Sequence, residues 1–303
     1  RLPGADTTVI RAVATLADGS TAEDAVLVNT ASGLAARVEV QLVEVYALAL
    51  DRQGRPARGL EQSAFRVLEQ GQPQTIVRFE EAASAPLRAA LLVDRSSSME
   101  PNMAKVAAAA QTFATAALRS KEDRVAVLSF ADQTTVDQPF TANAAEVERA
   151  LAGLRPLGRT ALNDALIEGL NYCGELEGLT ALVLFTDGQD ETSRFTMDQV
   201  LESARQSGVM VYVVGLEDAF PDRPTRRRME ELARETGGDA LFLTDLESLP
   251  QIYAGILDQL RSRYLLAYQP ATETTPGRGA FREITVEVEG QGLEVRARKG
   301  YYP

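Results

Sequence analysis

Histidine is absent from this chain of 303 residues, and cysteine occurs once, at Cys173. Without histidine there is no Ser-His-Asp or Cys-His nucleophile system, and none of the usual zinc sites. A single cysteine excludes an intrachain disulfide and a cysteine metal cluster. Its place in the apolar series Leu162, Leu166, Leu170 predicts a small buried core residue rather than a reactive thiol. No apolar run approaches the ~20 residues that a membrane-spanning helix needs. The sequence starts at Arg1 rather than methionine and shows no signal-peptide pattern, which reads as a processed or excised piece of a longer protein.

Positive charge is also in short supply. Lysine and arginine number 31 against 43 aspartates and glutamates, a formal net charge of −12. That balance argues against nucleic acid or an anionic membrane as the main partner, and for cations or basic partners. With 45% hydrophobic and 24% charged residues the composition is that of an ordinary globular protein. The length predicts two or three domains.

Residues 1–85 read as all-β. Thr8 to Leu16 alternates with a period of two, and the turn Ala17 to Ser20 leads into a second run at Ala25 to Val28. This pair, residues 1–37, is expected to be the end of an immunoglobulin-like β module. A second β unit, residues 38–85, begins at Val38 and runs to Leu50. It turns at Asp51 to Pro56 and continues through Phe65 to Glu69 and Thr75 to Phe79. From residue 86 the pattern changes. Strand-like runs Arg88–Val93, Arg124–Phe130, Thr180–Phe185, Val209–Val214 and Ala240–Leu243 alternate with helical spacing, and Leu249–Leu260 adds a last helix. Alternation of this kind implies right-handed crossovers and a doubly wound, mostly parallel, Rossmann-like sheet over residues 86–262. Three further β runs follow in residues 263–303. The economical arrangement is an α/β domain inserted in a β-sandwich, with residues 263–303 supplying the closing strands.

The chemistry concentrates at strand ends. An apolar run, Ala89 to Val93, stops abruptly at Asp94, Arg95, Ser96, Ser97 and Ser98. Open α/β sheets place ligands at the C-terminal ends of their strands. Ser and Asp are also the preferred helix caps, so this stretch alone is equally a strand followed by a capped helix. Two further pieces converge with it: Gly158-Arg159-Thr160 before a helix, and Thr186-Asp187-Gly188 after a buried-looking strand.

With all three pieces together the chain resembles the von Willebrand factor A (VWA) domain family. The metal-ion-dependent adhesion site of that family uses Asp-x-Ser-x-Ser, a loop threonine and a later aspartate. Asp94, Ser96, Ser98, Thr160 and Asp187 match all five positions. Two carboxylates and three hydroxyls are the hard oxygen donors that Mg2+ or Mn2+ prefers, with Ca2+ a further candidate. Hydroxyls in place of more carboxylates leave the ion positive enough to take a partner's Asp or Glu carboxylate. The resemblance implies direct or water-mediated ligation by Ser96, Ser98 and Thr160, and Asp94 and Asp187 holding the ion partly through water. Arg95 and Arg159 depart from the family's smaller residues. They either bring positive charge to the rim or are two solvated arginines. The stretch Asp51 to Ile76, together with Tyr264 to Pro270 and Arg298 to Tyr302, resembles the flanking β segments of bacterial "VWFA-related" proteins, mostly predicted to be exported.

Other residues carry weaker signals. Asp190, Glu191 and Asp132 read as solvated loop residues, with a place on the site's rim the alternative. Asp164 reads as a favourable first-turn carboxylate. Arg226 to Glu231 reads as a solvated helix with i,i+4 pairs. The expected function is a non-enzymatic, divalent-metal-dependent protein-binding module, for adhesion or scaffolding, on an exported bacterial protein. Self-association through the β modules is a further option. The rivals are a structural protein whose ion only stabilises the fold, and a metal-dependent hydrolase.

Overall fold

In the computed structural model the chain divides into two compact units, Arg1–Leu42 and Val43–Pro303. The structure describes residues 7–15, 21–29, 35–36, 42–174, 176, 178–187, 189–216, 223–270, 279–290 and 292–303. The first unit holds β1 (Thr7–Thr15) paired antiparallel with β2 (Thr21–Asn29), and β3 (Ala35–Ala36) on the other side of β2. The alternating run at Thr8 is therefore a strand. The expected turn at Ala17 to Ser20, and residues 38–41 of the run beginning at Val38, lie outside the described residues.

The second unit opens with four strands, β4 (Val43–Leu50), β5 (Phe65–Glu69), β6 (Gln72–Gln74) and β7 (Ile76–Glu81). The α/β segment follows. Its strands are β8 (Leu87–Asp94), β9 (Arg124–Phe130), β10 (Thr134–Thr141), β11 (Leu179–Thr186), β12 (Met210–Leu216) and β13 (Ala240–Leu243). Its helices are α1 (Met103–Ala117), α2 (Ala144–Gly153), α3 (Leu162–Gly174), α4 (Met197–Ser207), α5 (Arg223–Thr236) and α6 (Leu249–Arg261). Strands β14 (Tyr264–Tyr268), β15 (Arg282–Val288), β16 (Glu294–Arg296) and β17 (Gly300–Tyr301) complete the chain.

The six strands of the α/β segment form one sheet in the order β10-β9-β8-β11-β12-β13. Because β8 and β11 are apolar without alternation, both of their faces need cover. Leu87, Ala89, Leu91 and Val93 enter a core with α1, α2 and α6, whereas Ala90 and Leu92 enter a second core with α3, α4 and α5. Cys173 is fully buried in the second core. One element departs from the sequence reading. β10 is an edge strand antiparallel to β9, with two register irregularities. It is not among the expected strand-like runs, and an edge is where a strand tolerates a polar sequence and Pro139.

The flanking strands form two small antiparallel sheets, β16-β4-β14-β7 and β17-β15-β5-β6. Strands from both sides of the α/β segment pair with each other, β14 with β4 and β7, and β15 with β5. Phe65, Val67, Tyr264, Leu266 and Ile284 share their core. Buried Glu69 is held there by the hydroxyls of Tyr268, at 2.7 Å, and Tyr301, at 3.1 Å, and by Arg282 at 2.9 Å.

Two buried arginines join the halves of this unit. Arg261, at the end of α6, makes a 2.8 Å ion pair with Asp123 and donates to the carbonyls of Ala85 and Ala117. Arg263 is 1% exposed and donates to Tyr46 O in β4, Gly237 O and the Tyr212 hydroxyl. Burial by itself pushes the Asp123 carboxyl up. The Arg261 guanidinium and the N–H groups of Leu87 and Ser120 outweigh it and hold the carboxyl below its ordinary range. A depressed folded-state pKa contributes stability above the unfolded-state value, and that contribution is lost as pH falls through the folded-state value. Asp123→Ala is therefore expected to destabilise the protein by about 3–5 kcal/mol in urea titrations near neutrality, because it strands a buried guanidinium. The gap from wild type should narrow as the pH drops below about 4.

Candidate functional site

β8 and β11 are parallel neighbours in register from Leu179↔Leu87 to Phe185↔Val93, so their C-terminal ends finish side by side. That places Asp94 beside Thr186, whose hydroxyl donates to Asp94 Oδ2 at 2.6 Å. Asp94 is completely buried, and its Oδ1 accepts the Ser96 N–H at 2.8 Å. The Ser96 and Ser98 hydroxyls are 3.0 Å apart and share a hydrogen bond. Ser98 Oγ in turn donates to Asp187 Oδ1 at 2.8 Å, and Asn102 Nδ2 donates to Asp187 Oδ2 at 3.2 Å. Four of the five expected residues thus form one chain of contacts between two strand ends.

Thr160 arrives on a separate loop that is pinned from both sides. Gly158 O accepts the Ser97 N–H at 3.1 Å and the Ser97 hydroxyl at 3.0 Å. Thr160 O accepts the N–H groups of Glu191 at 2.8 Å and Thr192 at 3.2 Å, on the loop after Asp187. The Thr160 side chain is itself buried. Capping does not account for this arrangement. Asn102 occupies the N-cap of α1, and the short 3-10 turn Ser97–Met99 has no side-chain cap bond.

The electrostatics are those of crowded oxygen. Burial pushes the Asp94 carboxyl above its ordinary value, hydrogen bonds from Thr186 and Ser96 oppose the rise, and the charge on Asp187 adds to it. A buried carboxylate with a second one nearby is costly unless a cation or proton compensates it. Two carboxylates and three hydroxyls are hard donors of the kind that bind Mg2+. Among the described residues no group of three or more His, Cys, Asp or Glu side chains gathers as a metal cage. With only two carboxylates, the Asp94 cluster is a different kind of donor set.

Residues 90–255, more than half of the chain, match the von Willebrand factor type A domain. The chain belongs to the von Willebrand factor type A family. Solved structures with the same fold include the PilB minor pilin of Streptococcus sanguinis, at 11% identity and TM-score 0.51, over 85% of this chain and 79% of that one. A mutant form of the same pilin is matched over 62% of its length. A von Willebrand factor type A protein of Catenulispora acidiphila matches at 14% identity and TM-score 0.51, over 88% of this chain and 64% of that one. Proximal thread matrix protein 1 of the mussel byssus matches at 18% identity and TM-score 0.52, over 64% of this chain and 51% of that one. No curated protein matches the sequence.

Around the five VWA positions the structure adds residues that spacing did not reveal. Thr186 and Asn102 bind the two aspartates directly. Thr186 stands next to Asp187 in sequence, but only the strand register shows that it meets Asp94. Asp164 is in the first turn of α3 as expected, yet its carboxylate faces the loop between β11 and α4. It accepts the N–H groups of Arg194 and Phe195 at 2.8 and 3.0 Å. Asp190 accepts the Asn163 N–H at 3.2 Å and the Ser193 hydroxyl. Asp132 accepts the Arg159 N–H at 3.3 Å. Asp132 and Asp190 are exposed loop residues, as expected, and with Asp164 they also bond the backbone of the VWA loops. Arg95 donates to Ser129 Oγ at 3.1 Å, and Arg159 pairs with Glu191 at 2.8 Å.

Gly158 makes the Thr160 loop attainable. Its φ is +77°, and a Cβ there would collide with the Asp132 carboxylate. Gly158→Ala is expected to cost at least about 1–2 kcal/mol in chemical denaturation from the left-handed backbone alone. Adding Asp132→Ala should return the part due to collision, which a double-mutant cycle measures.

Proposed function

We propose that this VWA domain holds a divalent cation, Mg2+ or Mn2+ before Ca2+, between Asp94, Ser96, Ser98, Thr160 and Asp187. A partner protein's Asp or Glu carboxylate would bind the ion. The observation that carries the reading is the hydrogen-bonded chain Thr186–Asp94–Ser96–Ser98–Asp187, which gathers oxygen donors around a fully buried carboxylate. The ion would supply electrostatic attraction for an incoming anion, and the protein's residues would orient it and set its charge. Asp94 would be fixed by Thr186 from behind, Ser96 and Ser98 by the turn they share, and Thr160 by its carbonyl's bonds to Glu191 and Thr192.

The biological role we infer is adhesion or scaffolding outside the cytoplasm, with no catalysis by this chain. Structures of similar fold include a minor pilin and a byssal thread matrix protein, which supports that direction. No helix among the described residues is long and apolar enough to cross a membrane.

The reading makes a direct thermodynamic demand, since a ligand that binds only the folded state raises its melting temperature by mass action. Added Mg2+ or Mn2+ should raise the Tm of the EDTA-treated chain, and Asp94→Ala should abolish the shift while leaving the far-UV spectrum intact. Capture of a partner should fail in EDTA and in Thr160→Ala. A Tm that ignores both ions would refute the site.

Protons should compete with the ion. Asp94 must be ionised to bind metal, and its carboxyl sits above the ordinary value. Metal affinity should therefore weaken as pH falls, beginning above the usual aspartate range, in calorimetric titrations across pH.

A further inference from the structure

At the N-terminal ends of the central strands, away from Asp94, three residues stand in one row. Arg124 of β9 is in register with Arg88 of β8, and Arg88 is in register with Thr180 of β11. They share the sheet face of Ala90, Leu92, Ala126 and Leu182, and so cap the second core at its polar end. Like charges side by side on adjacent strands destabilise a sheet. The two cations therefore need a reason to be there, the more so in a chain of net charge −12.

Their hydrogen bonds are incomplete. Among the described residues Arg88 Nε and the hydroxyl of Thr180, a residue 4% exposed, are sealed from solvent without a partner, as are the Nε atoms of Arg261, Arg263 and Arg298 elsewhere. Arg124 is anchored through Nη1 to the carbonyls of Lys121, at 2.6 Å, and Asp123, at 2.8 Å. Buried donors are almost always paired, and an exception commonly marks a water, ion or ligand site.

Both arginines line an open cleft of about 330 Å³, whose other walls are Pro86, Glu122, Phe140 and Leu176. Phe140 is stacked on Tyr172, centroids 5.3 Å apart and planes 7° from parallel, which holds that wall in place. A bare inorganic anion would fill only a small part of such a volume, since a water molecule takes about 30 Å³. Among the described residues the remaining walls are largely apolar, and Glu122 disfavours a second negative charge.

We propose that this cleft binds a small organic monocarboxylate, its carboxylate on Arg88 and Arg124 and its apolar body against Phe140, Leu176 and Pro86. Planar guanidinium forks match carboxylates in geometry and charge. The site is separate from the Asp94 cluster and does not depend on a metal there.

Benzoate is a suitable probe, titrated calorimetrically into the whole chain in EDTA so that no cation at Asp94 recruits it. Saturable binding at millimolar benzoate is expected, weakened about tenfold or more by Arg88→Met and by Arg124→Gln, the loss of a charged hydrogen bond. Arg88→Met removes an unpartnered buried donor and should keep the wild-type urea midpoint. Should it unfold, Arg124→Gln carries the test alone. Inorganic phosphate should bind more weakly than benzoate. Absence of saturable benzoate binding, wild-type affinity in the folded variants, or tighter binding of phosphate would each overturn the proposal.

Discussion

The parallel register of β8 against β11 is the constraint on which the site depends. Seven residue pairs run from Leu179↔Leu87 to Phe185↔Val93, and all but Thr180↔Arg88 carry apolar side chains into one of two cores. A slip of one residue would exchange the two faces of a strand, moving Leu91 and Val93 out of the core they share with α1 and α6. The same register brings the Thr186 hydroxyl to Asp94 and sets Asp187 where Ser98 reaches it. Hydrophobic burial therefore aligns the polar groups of the candidate site.

Buried charge is managed differently at three places in this chain. Asp123 and Arg261 neutralise each other, and backbone N–H and carbonyl groups take up much of their remaining bonding capacity. Glu69 is likewise surrounded by two tyrosine hydroxyls and Arg282. Among the described residues, Asp94 accepts from neutral donors and has an anionic neighbour. Arg88 presents the opposite case, a cation with an unbonded buried nitrogen. The structural carboxylates Asp123 and Glu69 each face a cation, whereas the two candidate sites set like charges near each other, at opposite ends of the same sheet.

The joining of the α/β segment to its flanking sheets rests on residues just after α6. Arg261 ties the helix end to the turn before β9, and Arg263 reaches β4 and the loop before β13. Because these bonds come from two positions two residues apart, the exit of α6 and the entry to β14 are fixed together. The closing strands then pair with β4, β5 and β7 across a long span of sequence.

Much of this was open to reading in one dimension. Uninterrupted apolar runs separated by helical spacing announced a parallel sheet covered on both faces, because burial on two sides removes alternation. Asp94, Ser96, Ser98, Thr160 and Asp187 could also be named as a candidate donor set from sequence, since donor type and order along a βα chain are one-dimensional facts. The edge strand β10 was not legible, because half-exposed backbone pairing places little demand on side chains. Nor were Thr186 and Asn102 as partners of the aspartates, the loop-bracing role of Asp164, or the row of Arg124, Arg88 and Thr180. Those depend on which strands become neighbours and in what register. Long-range packing decides that, and no local spacing encodes it.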